Sequence, residues 1–263
     1  MIWGRVKTAG GTVVSGEIHD GFLTPGAWPA NMASDDTAGQ AGRIALDAAT
    51  LLPPCAPGKF IGLWNNYHAA AEKNGWAAPD HPLWFLKPAS SVAGQGAKVV
   101  IPPAAGRVIF EGELGIVIGQ RCHNATEEQA QAAIFGYTCI NDLTSLDVLN
   151  AEPSFPQWSR AKGFDGFGVI GPVIATGLDW RELVVKVTVN GRERQSYPAS
   201  DMILPPVEIV RQLSFDMTLE PGDVIAVGTS LGARPVKPGD NVAVSIDGIG
   251  AVEVTLCDGA TDR

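Results

Sequence analysis

Apolar residues along this chain fall mainly in short runs that end at glycine or proline, a pattern typical of β-strands. The run at 108–119 is apolar, β-branched and bounded by glycines, and it predicts a buried strand. Because strand side chains alternate between the two faces of a sheet, Glu111 and Glu113 are expected on the same face. Gly112 between them faces the other way, where its missing side chain lets another segment approach closely.

Two carboxylates side by side in an apolar strand repel each other and lose their hydration. Either one of them takes up a proton or a cation lies between them, and a hard divalent ion such as Mg²⁺ prefers such oxygen ligands. A second apolar run at 135–142 ends in Asp142, and a short helix that Thr126 can cap lies between the two runs. Strand, helix and strand would bring Asp142 back beside the glutamates. The alternative is a solvated acidic strand end.

The remaining pattern predicts a mainly β (α+β) protein with a few short helices. Alternating valines before Asn190-Gly191 predict a hairpin with a type I′ turn, and Pro205-Pro206 opens a short helix. Residues 1–57 are predicted to form a small N-terminal β module with a proline-rich linker, and 58–263 the main domain. The small, polar stretch at 33–40 predicts an exposed loop within the first part.

Three further groups are candidates for chemistry. His68 and Glu72 are four residues apart on a predicted helix, where a carboxylate can orient a histidine as a general base; a plain surface pair is the alternative. Lys87 ends an apolar strand and either binds an anion or reaches solvent. Lys162 lies in a glycine-rich loop, where it either faces a bound anion with Asp165 beside it or forms an ordinary loop salt bridge.

Composition excludes some classes of function. The net charge of −9 over 263 residues argues against a nucleic-acid partner and against an anionic membrane surface. No apolar segment approaches the length of a membrane span, so no membrane partner is expected and the cytoplasm is the expected location. The four cysteines show neither zinc-site nor disulfide spacing. No strand is followed by G-x-G-x-x-G and a helix, which argues against a dinucleotide enzyme.

An ordered set of short motifs between residues 60 and 256 resembles the fumarylacetoacetate hydrolase (FAH) superfamily. No single piece of the set is specific, but the set as a whole is. Its members are Gly62…His68, Phe85-x-Lys87-Pro88, Glu111-Gly112-Glu113-Leu114-x-x-Val117-Ile118-Gly119, Gly136-Tyr137-x-x-x-Asn141-Asp142, Lys162-Gly163-Phe164-Asp165-x-Phe167, Gly171-Pro172, Val189-Asn190-Gly191, Leu219-x-Pro221-Gly222-Asp223-Val224-Ile225 and Gly228-Thr229.

The resemblance implies an FAH-like mixed β-roll catalytic domain, which in this family is usually a homodimer. It implies that Lys162 lies at the site, that Thr229 contacts substrate and that His68 works with a glutamate to activate water. Lys87, within the second motif, joins Thr229 as a candidate for substrate binding. The resemblance further implies Mg²⁺ or Mn²⁺ held by the three matching acids, Glu111, Glu113 and Asp142.

The chain departs from the family pattern in three respects. The acid expected three residues after the histidine is replaced by alanine, and Glu72 follows one residue later. Leu146 and Leu149 stand where the family usually has arginine and glutamine, which commonly bind the polar end of the substrate. Two leucines there suggest a less polar substrate end or a pocket arranged differently. Ser230 stands in place of a proline, which is a smaller change.

The resemblance implies a small-molecule oxo acid or diketone as substrate. The expected activity is metal-dependent hydrolysis of a C–C bond in a β-diketo acid of the acylpyruvate or fumarylacetoacetate kind, through a stabilised enolate. The alternative is decarboxylation, isomerisation or hydration of a 2-oxo acid or diacid in aromatic catabolism. A more distant alternative is a non-catalytic ligand-binding β-protein with a degenerate site.

Overall fold

β-strands dominate the fold, and the helices are short. The computed structural model describes residues 1–26 and 42–259, so the loop predicted at 33–40 lies outside the described residues. The strands are β1 (Ile2–Thr8), β2 (Val13–His19), β3 (Phe22–Pro25), β4 (Ile44–Ala45), β5 (Ala49–Leu51), β6 (Phe60–Trp64), β7 (Leu83–Lys87), β8 (Val92–Ala93), β9 (Lys98–Ile101), β10 (Val108–Ile109), β11 (Gly112–Ile118), β12 (Ile134–Asp142), β13 (Thr144–Ser145), β14 (Gly168–Ala175), β15 (Val184–Val189), β16 (Arg192–Pro198), β17 (Val224–Ala226), β18 (Pro235–Val236), β19 (Asn241–Ile246) and β20 (Gly250–Asp258). The α-helices are α1 (His68–Asn74), α2 (Glu127–Ala133), α3 (Leu146–Leu149), α4 (Trp158–Ala161) and α5 (Pro206–Asp216). None of these helices is long and apolar enough to cross a lipid bilayer.

The strands form three sheets with mixed pairing. The largest has the order β4-β3-β2-β1-β14-β12-β11-β17-β6-β7, with β5 and β8 paired to β1 and β14. A second sheet, β16-β15-β19-β20-β9, packs against its middle, and the main apolar core lies between the two. The third is the short sheet β13-β10-β18. The mainly β fold predicted from the sequence is confirmed.

Two local predictions are also confirmed. β15 and β16 form the expected hairpin, and Asn190 and Gly191 in its turn have φ values of 52° and 72°, as a type I′ turn requires. Thr126 caps α2: it accepts a hydrogen bond from the Gln129 backbone N–H, while the Gln129 side chain accepts one from the Thr126 N–H.

The strand predicted over 108–119 is wrong in its continuity. The chain forms β10 and β11, with Phe110 and Glu111 between them. At this break the chain changes sheets, since β10 pairs with β13 and β18 while β11 pairs with β12 and β17. Glu111 therefore immediately precedes the strand that carries Glu113.

The N-terminal strands extend the main sheet. β1 pairs antiparallel with β2, and Ile2 and Trp3 of β1 also pair with Ala175 and Ile174 of β14. The hydrogen-bonded sheet thus runs across residue 57, where the sequence suggested a boundary. The division into 1–57 and 58–263 stays a prediction.

Gly112→Ala is expected to destabilise the protein. A Cβ atom at this position would lie 2.1 Å from Cγ2 of Val187 in the facing sheet, as the close approach predicted for Gly112 requires. Overpacking of this kind costs about 1–3 kcal/mol of unfolding free energy, measurable by urea denaturation. Gly10→Ala is the control, because its nearest contact would be 3.8 Å away at Thr8 Oγ1. Equal unfolding free energies for the two variants would contradict the packing described here.

Candidate functional site

The pairing of β11 with β12 brings the three predicted acids together. Gly112 pairs with Asn141, and the Asp142 backbone N–H donates to the Glu111 carbonyl at 2.8 Å. Carboxylate oxygens of Glu111, Glu113 and Asp142 all lie within 4.8 Å of one another. The proximity inferred from strand periodicity and chain order is therefore present in the structure.

Glu113 is buried and, unlike Glu111 and Asp142, forms no ion pair among the described residues. Its residue is 1% exposed, and its carboxylate accepts one hydrogen bond from the Gly228 backbone N–H at 2.7 Å. Burial raises the pKa of Glu113 well above its ordinary value, and the charge on Asp142 adds to this, whereas Lys162 opposes it. Without a cation, this carboxyl group is thus costly to ionise.

Two buried lysines neutralise the other two acids. The ammonium of Lys162 lies 2.5 Å from Glu111 Oε2 and 2.5 Å from Asp142 Oδ2. Burial opposes the charge on Lys162, but the neighbouring acids outweigh it and raise its pKa. Burial also favours neutral Asp142, yet Lys162 and Lys87 hold the pKa of Asp142 below its ordinary value. The pairing of Lys162 with Asp165 suggested by the sequence is wrong for the described structure, because the ammonium of Lys162 is held by Glu111 and Asp142 instead.

Lys87 forms a buried ion pair with Asp142. Its side chain is fully buried, and its ammonium lies 2.5 Å from Asp142 Oδ1, while it also donates to the carbonyl oxygens of Lys162 and Phe167. This environment fits a residue that positions Asp142 better than one that contacts substrate. The substrate-binding role predicted for Lys87 gains no support from its position.

The chemistry of the donor set fits a hard divalent cation. All three acidic side chains offer oxygen, the ligand that Mg²⁺ and Mn²⁺ prefer. A dication would also remove the repulsion between Glu113 and its acidic neighbours, which raises the pKa of Glu113 in its absence. The residues that would hold Mg²⁺ or Mn²⁺ are therefore Glu111, Glu113 and Asp142.

The loop that follows β17 forms another side of the site. Thr229 lines the cavity over the acids, and its hydroxyl donates to the Gly112 carbonyl at 2.8 Å. Gln195 on β16 ties this loop to β11, because its amide nitrogen donates to Thr229 Oγ1 at 3.0 Å and its amide oxygen accepts from the Gly112 N–H at 3.1 Å. The position of Thr229 is consistent with contact to a ligand above the acids.

A cavity of about 270 Å³ opens above these groups, and its lining is divided by polarity. Glu111, Glu113 and Lys162 supply charged groups near the acidic cluster, and Lys73 of α1 adds a further cation to the lining. Trp64, Trp76 and Trp158 supply a broad aromatic part. We call these three indoles the tryptophan wall. The cavity thus combines a site for charged oxygens with an apolar compartment, as in many small-molecule sites.

Besides the buried Asp142 and Lys87, four predicted residues do not line this cavity. His68, the first residue of α1, and Glu72 are exposed, and in the described part of the chain neither makes an ion pair or a side-chain hydrogen bond. The side of α1 that lines the cavity carries Ala70, Lys73 and Asn74. Leu146 and Leu149 lie on α3, also outside the lining. The catalytic and substrate-binding roles of these four residues stay predictions.

Sequence reasoning missed several residues that the site uses. Gln195 could have been suspected, because it lies two residues before Tyr197 on β16 and shares its buried face. Thr144, whose hydroxyl donates to Glu111 Oε2 at 2.7 Å, follows directly after Asp142 and Leu143. The tryptophan wall carried no comparable signal, because its three members come from separate parts of the chain.

Comparison with known proteins agrees with this site. The family model "Fumarylacetoacetate (FAA) hydrolase C-terminal" matches residues 59–257. An uncharacterized protein of Archaeoglobus fulgidus is 40% identical over 212 residues, which is 81% of this chain and 84% of that protein. The chain belongs to the fumarylacetoacetate hydrolase family, as the sequence motifs suggested.

Two solved structures share the whole fold. The crystal structure of 2-hydroxyhepta-2,4-diene-1,7-dioate isomerase from Mycobacterium marinum is 32% identical, with a TM-score of 0.86 over 99% of this chain and 100% of that chain. Maleylpyruvate hydrolase from Sphingobium sp. SYK-6, solved with manganese(II) and pyruvate, is 29% identical, with a TM-score of 0.78 over 98% and 100%. Relatives of this chain thus include both an isomerase and a hydrolase.

Proposed function

We propose that this protein is a divalent-metal-dependent hydrolase that cleaves a C–C bond in a β-diketo acid of the acylpyruvate kind. The observation that carries this proposal is the convergence of Glu111, Glu113 and Asp142, with Lys162 beside them, at a cavity that Glu111, Glu113 and Lys162 line. The manganese and pyruvate in the maleylpyruvate hydrolase structure support the same choice of cofactor and product class.

The reaction requires stabilisation of an enolate. When bound by the three acids, Mg²⁺ or Mn²⁺ supplies a Lewis acid for neighbouring substrate oxygens. Lys162 adds a positive charge on the same side of the cavity, where negative charge would develop on an enolate oxygen. Water gives its hydroxyl to the acyl carbon, the C–C bond breaks toward the 2-oxo acid, and the resulting carbanion takes a proton. The products are a carboxylic acid and a 2-oxo acid.

Hydrolysis also requires a group that activates water. We assign it to His68 with Glu72, following the family resemblance, although both side chains lie outside the cavity lining. This same observation favours a second candidate. Decarboxylation, isomerisation or hydration of a 2-oxo acid or diacid also uses a stabilised enolate, and the first two need no activated water. The isomerase among the structural relatives supports this candidate.

Three further properties follow the family resemblance and belong to the proposal. We propose that the protein is a homodimer, that it acts in the cytoplasm and that its substrate arises in aromatic catabolism. Size-exclusion chromatography with light scattering measures the first directly, and a monomer would remove it from the proposal.

A substrate panel distinguishes the candidate reactions. The protein is incubated with Mg²⁺ and either 2,4-dioxo acids or 2-oxo diacids, while enol absorbance, CO₂ and the released 2-oxo acid are followed together. Hydrolysis is expected to release one 2-oxo acid per enol lost, without CO₂. Release of CO₂, or loss of the enol without cleavage, would instead favour the second candidate. No turnover of any member, with or without metal, would contradict both.

A further inference from the structure

The tryptophan wall continues a chain of aromatic rings that begins at the charged end of the cavity. The Lys162 ammonium lies 5.0 Å from the centre of the Phe85 ring, and Phe85 stacks on Trp158 at 5.6 Å with an interplanar angle of 17°. Trp158 then meets Trp64 at 5.8 Å, and Trp64 meets Trp76 at 4.9 Å. The rings thus extend from Lys162 to Trp76, which is 40% exposed.

The outer member of the wall is held in place by its backbone. Gly75 ends α1 with φ 69°, its N–H bonds to the Glu72 carbonyl at 3.2 Å, and the Trp76 N–H bonds to the Ala71 carbonyl at 2.9 Å. This is the Schellman arrangement, which fixes the residue after the glycine. The backbone of Trp76 is therefore fixed, and its indole contacts Trp64 at the cavity, so a ligand would have to order less of this surface.

The cavity lining offers few cations that could bind a second anionic group of a ligand. Among the described residues that line the cavity, Lys73 is the one cation other than Lys162. The sequence suggested a less polar substrate end because Leu146 and Leu149 replace two polar residues, but these leucines lie outside the lining. The apolar compartment comes from the tryptophans, whose ring faces and edges favour contact with another aromatic ring.

We propose that the tryptophan wall binds an aromatic substituent of the substrate, so that the preferred substrates are 2-oxo or 2,4-dioxo acids that carry an aryl group. The proposal deepens the proposed function and rests on it for the position of the oxo acid end. The oxo acid lies at Glu111, Glu113 and Lys162, and the aryl group extends along the wall toward Trp76. Trp76 is then a specificity-determining residue.

The test compares phenyl-bearing and methyl-bearing ligands on the metal-loaded full chain. Calorimetry gives Kd for phenylpyruvate and for pyruvate, and kinetics give kcat/KM for the phenyl and methyl 2,4-dioxo acids. We expect the wild type to favour the phenyl ligand by about 5-fold or more, as an added aromatic contact allows. Trp76→Ala is expected to bring this ratio close to one, and Trp76→Phe to keep most of it.

Trp84→Ala is the matched control. Trp84 is 38% exposed, nearly as much as Trp76, but it does not line this cavity. Its loss should leave the phenyl-to-methyl ratio unchanged. An unchanged ratio in Trp76→Ala, or a preference for a diacid that Lys73→Met abolishes, would overturn the proposal. If the binding ratios behave as expected while neither dioxo acid is turned over, the aryl site stands and the proposed reaction fails.

Discussion

Lys162→Met is expected to lower kcat by about 10²–10³-fold at saturating metal, the usual cost of removing one preorganised group that stabilises developing negative charge. The variant keeps a side chain of similar length but loses the ammonium that lies between Glu111 and Asp142. In the metal-free protein it should also cost about 3–5 kcal/mol of unfolding free energy, because it breaks a buried ion pair. Steady-state kinetics and urea denaturation, each with and without Mg²⁺, measure the two effects.

Measurements with and without metal distinguish the loss of kcat in Lys162→Met from its loss of stability. A bound dication would compensate the two acids and restore most of the stability of Lys162→Met, but it would not restore kcat. Lys98→Met, at an exposed position on β9, removes a lysine charge elsewhere and should change neither quantity. Full activity of Lys162→Met in Mg²⁺ would show that the ammonium only holds the metal-free site together.

Glu113→Gln is expected to have opposite effects on the metal-free and metal-loaded protein. Glu113 is buried and forms no ion pair within the described part of the chain, so its neutral isostere should raise the unfolding free energy of the metal-free protein, by about 1 kcal/mol at neutral pH. The unfolding free energy of the wild type should increase by about 2.7 kcal/mol when the metal concentration is one hundred times Kd. Metal should add almost nothing to the unfolding free energy of Glu113→Gln, and the variant should have no metal-dependent activity.

The difference in unfolding free energy between metal-free wild type and Glu113→Gln should depend on pH with a defined sign. The pKa of Glu113 in the folded protein is raised above its ordinary value of 4.5 by burial and by Asp142. Between these two pKa values the folded state binds more protons than the unfolded state, so stability falls as pH rises. Metal-free wild type should therefore lose stability relative to Glu113→Gln above about pH 4.5. Thermal melts at a series of pH values measure this relative loss of stability, with Glu253→Gln on β20 as a surface control. A wild type that gains stability relative to Glu113→Gln as pH rises would contradict the burial of an unpaired acid.

The acidic cluster could be predicted from sequence because it depends on local rules. Strand periodicity placed Glu111 and Glu113 together, and the return of the chain through α2 and β12 placed Asp142 beside them. The break between β10 and β11 could not be predicted, because the apolar pattern is the same whether a strand stays in one sheet or passes to another. Both halves of that run are buried, and only the pairing partners distinguish them.

The positions of the residues around the acidic cluster are set by tertiary contacts, so local sequence patterns could not predict them. The sequence left Lys87 either to bind an anion or to reach solvent, yet its side chain is fully buried and pairs with Asp142. The tryptophan wall joins the end of β6, the residue after the α1 cap and the start of α4. No local pattern relates these three positions, so only the folded chain shows that they form one surface.

Titration of the metal-free protein with Mn²⁺, followed by calorimetry, tests the central claim most directly. If Glu111, Glu113 and Asp142 hold one dication, the wild type should bind one Mn²⁺ per chain with saturation and with release of protons, since Glu113 must ionise. Glu113→Gln should lose this binding. The absence of saturable binding by the wild type, or undiminished binding by Glu113→Gln, would contradict the account.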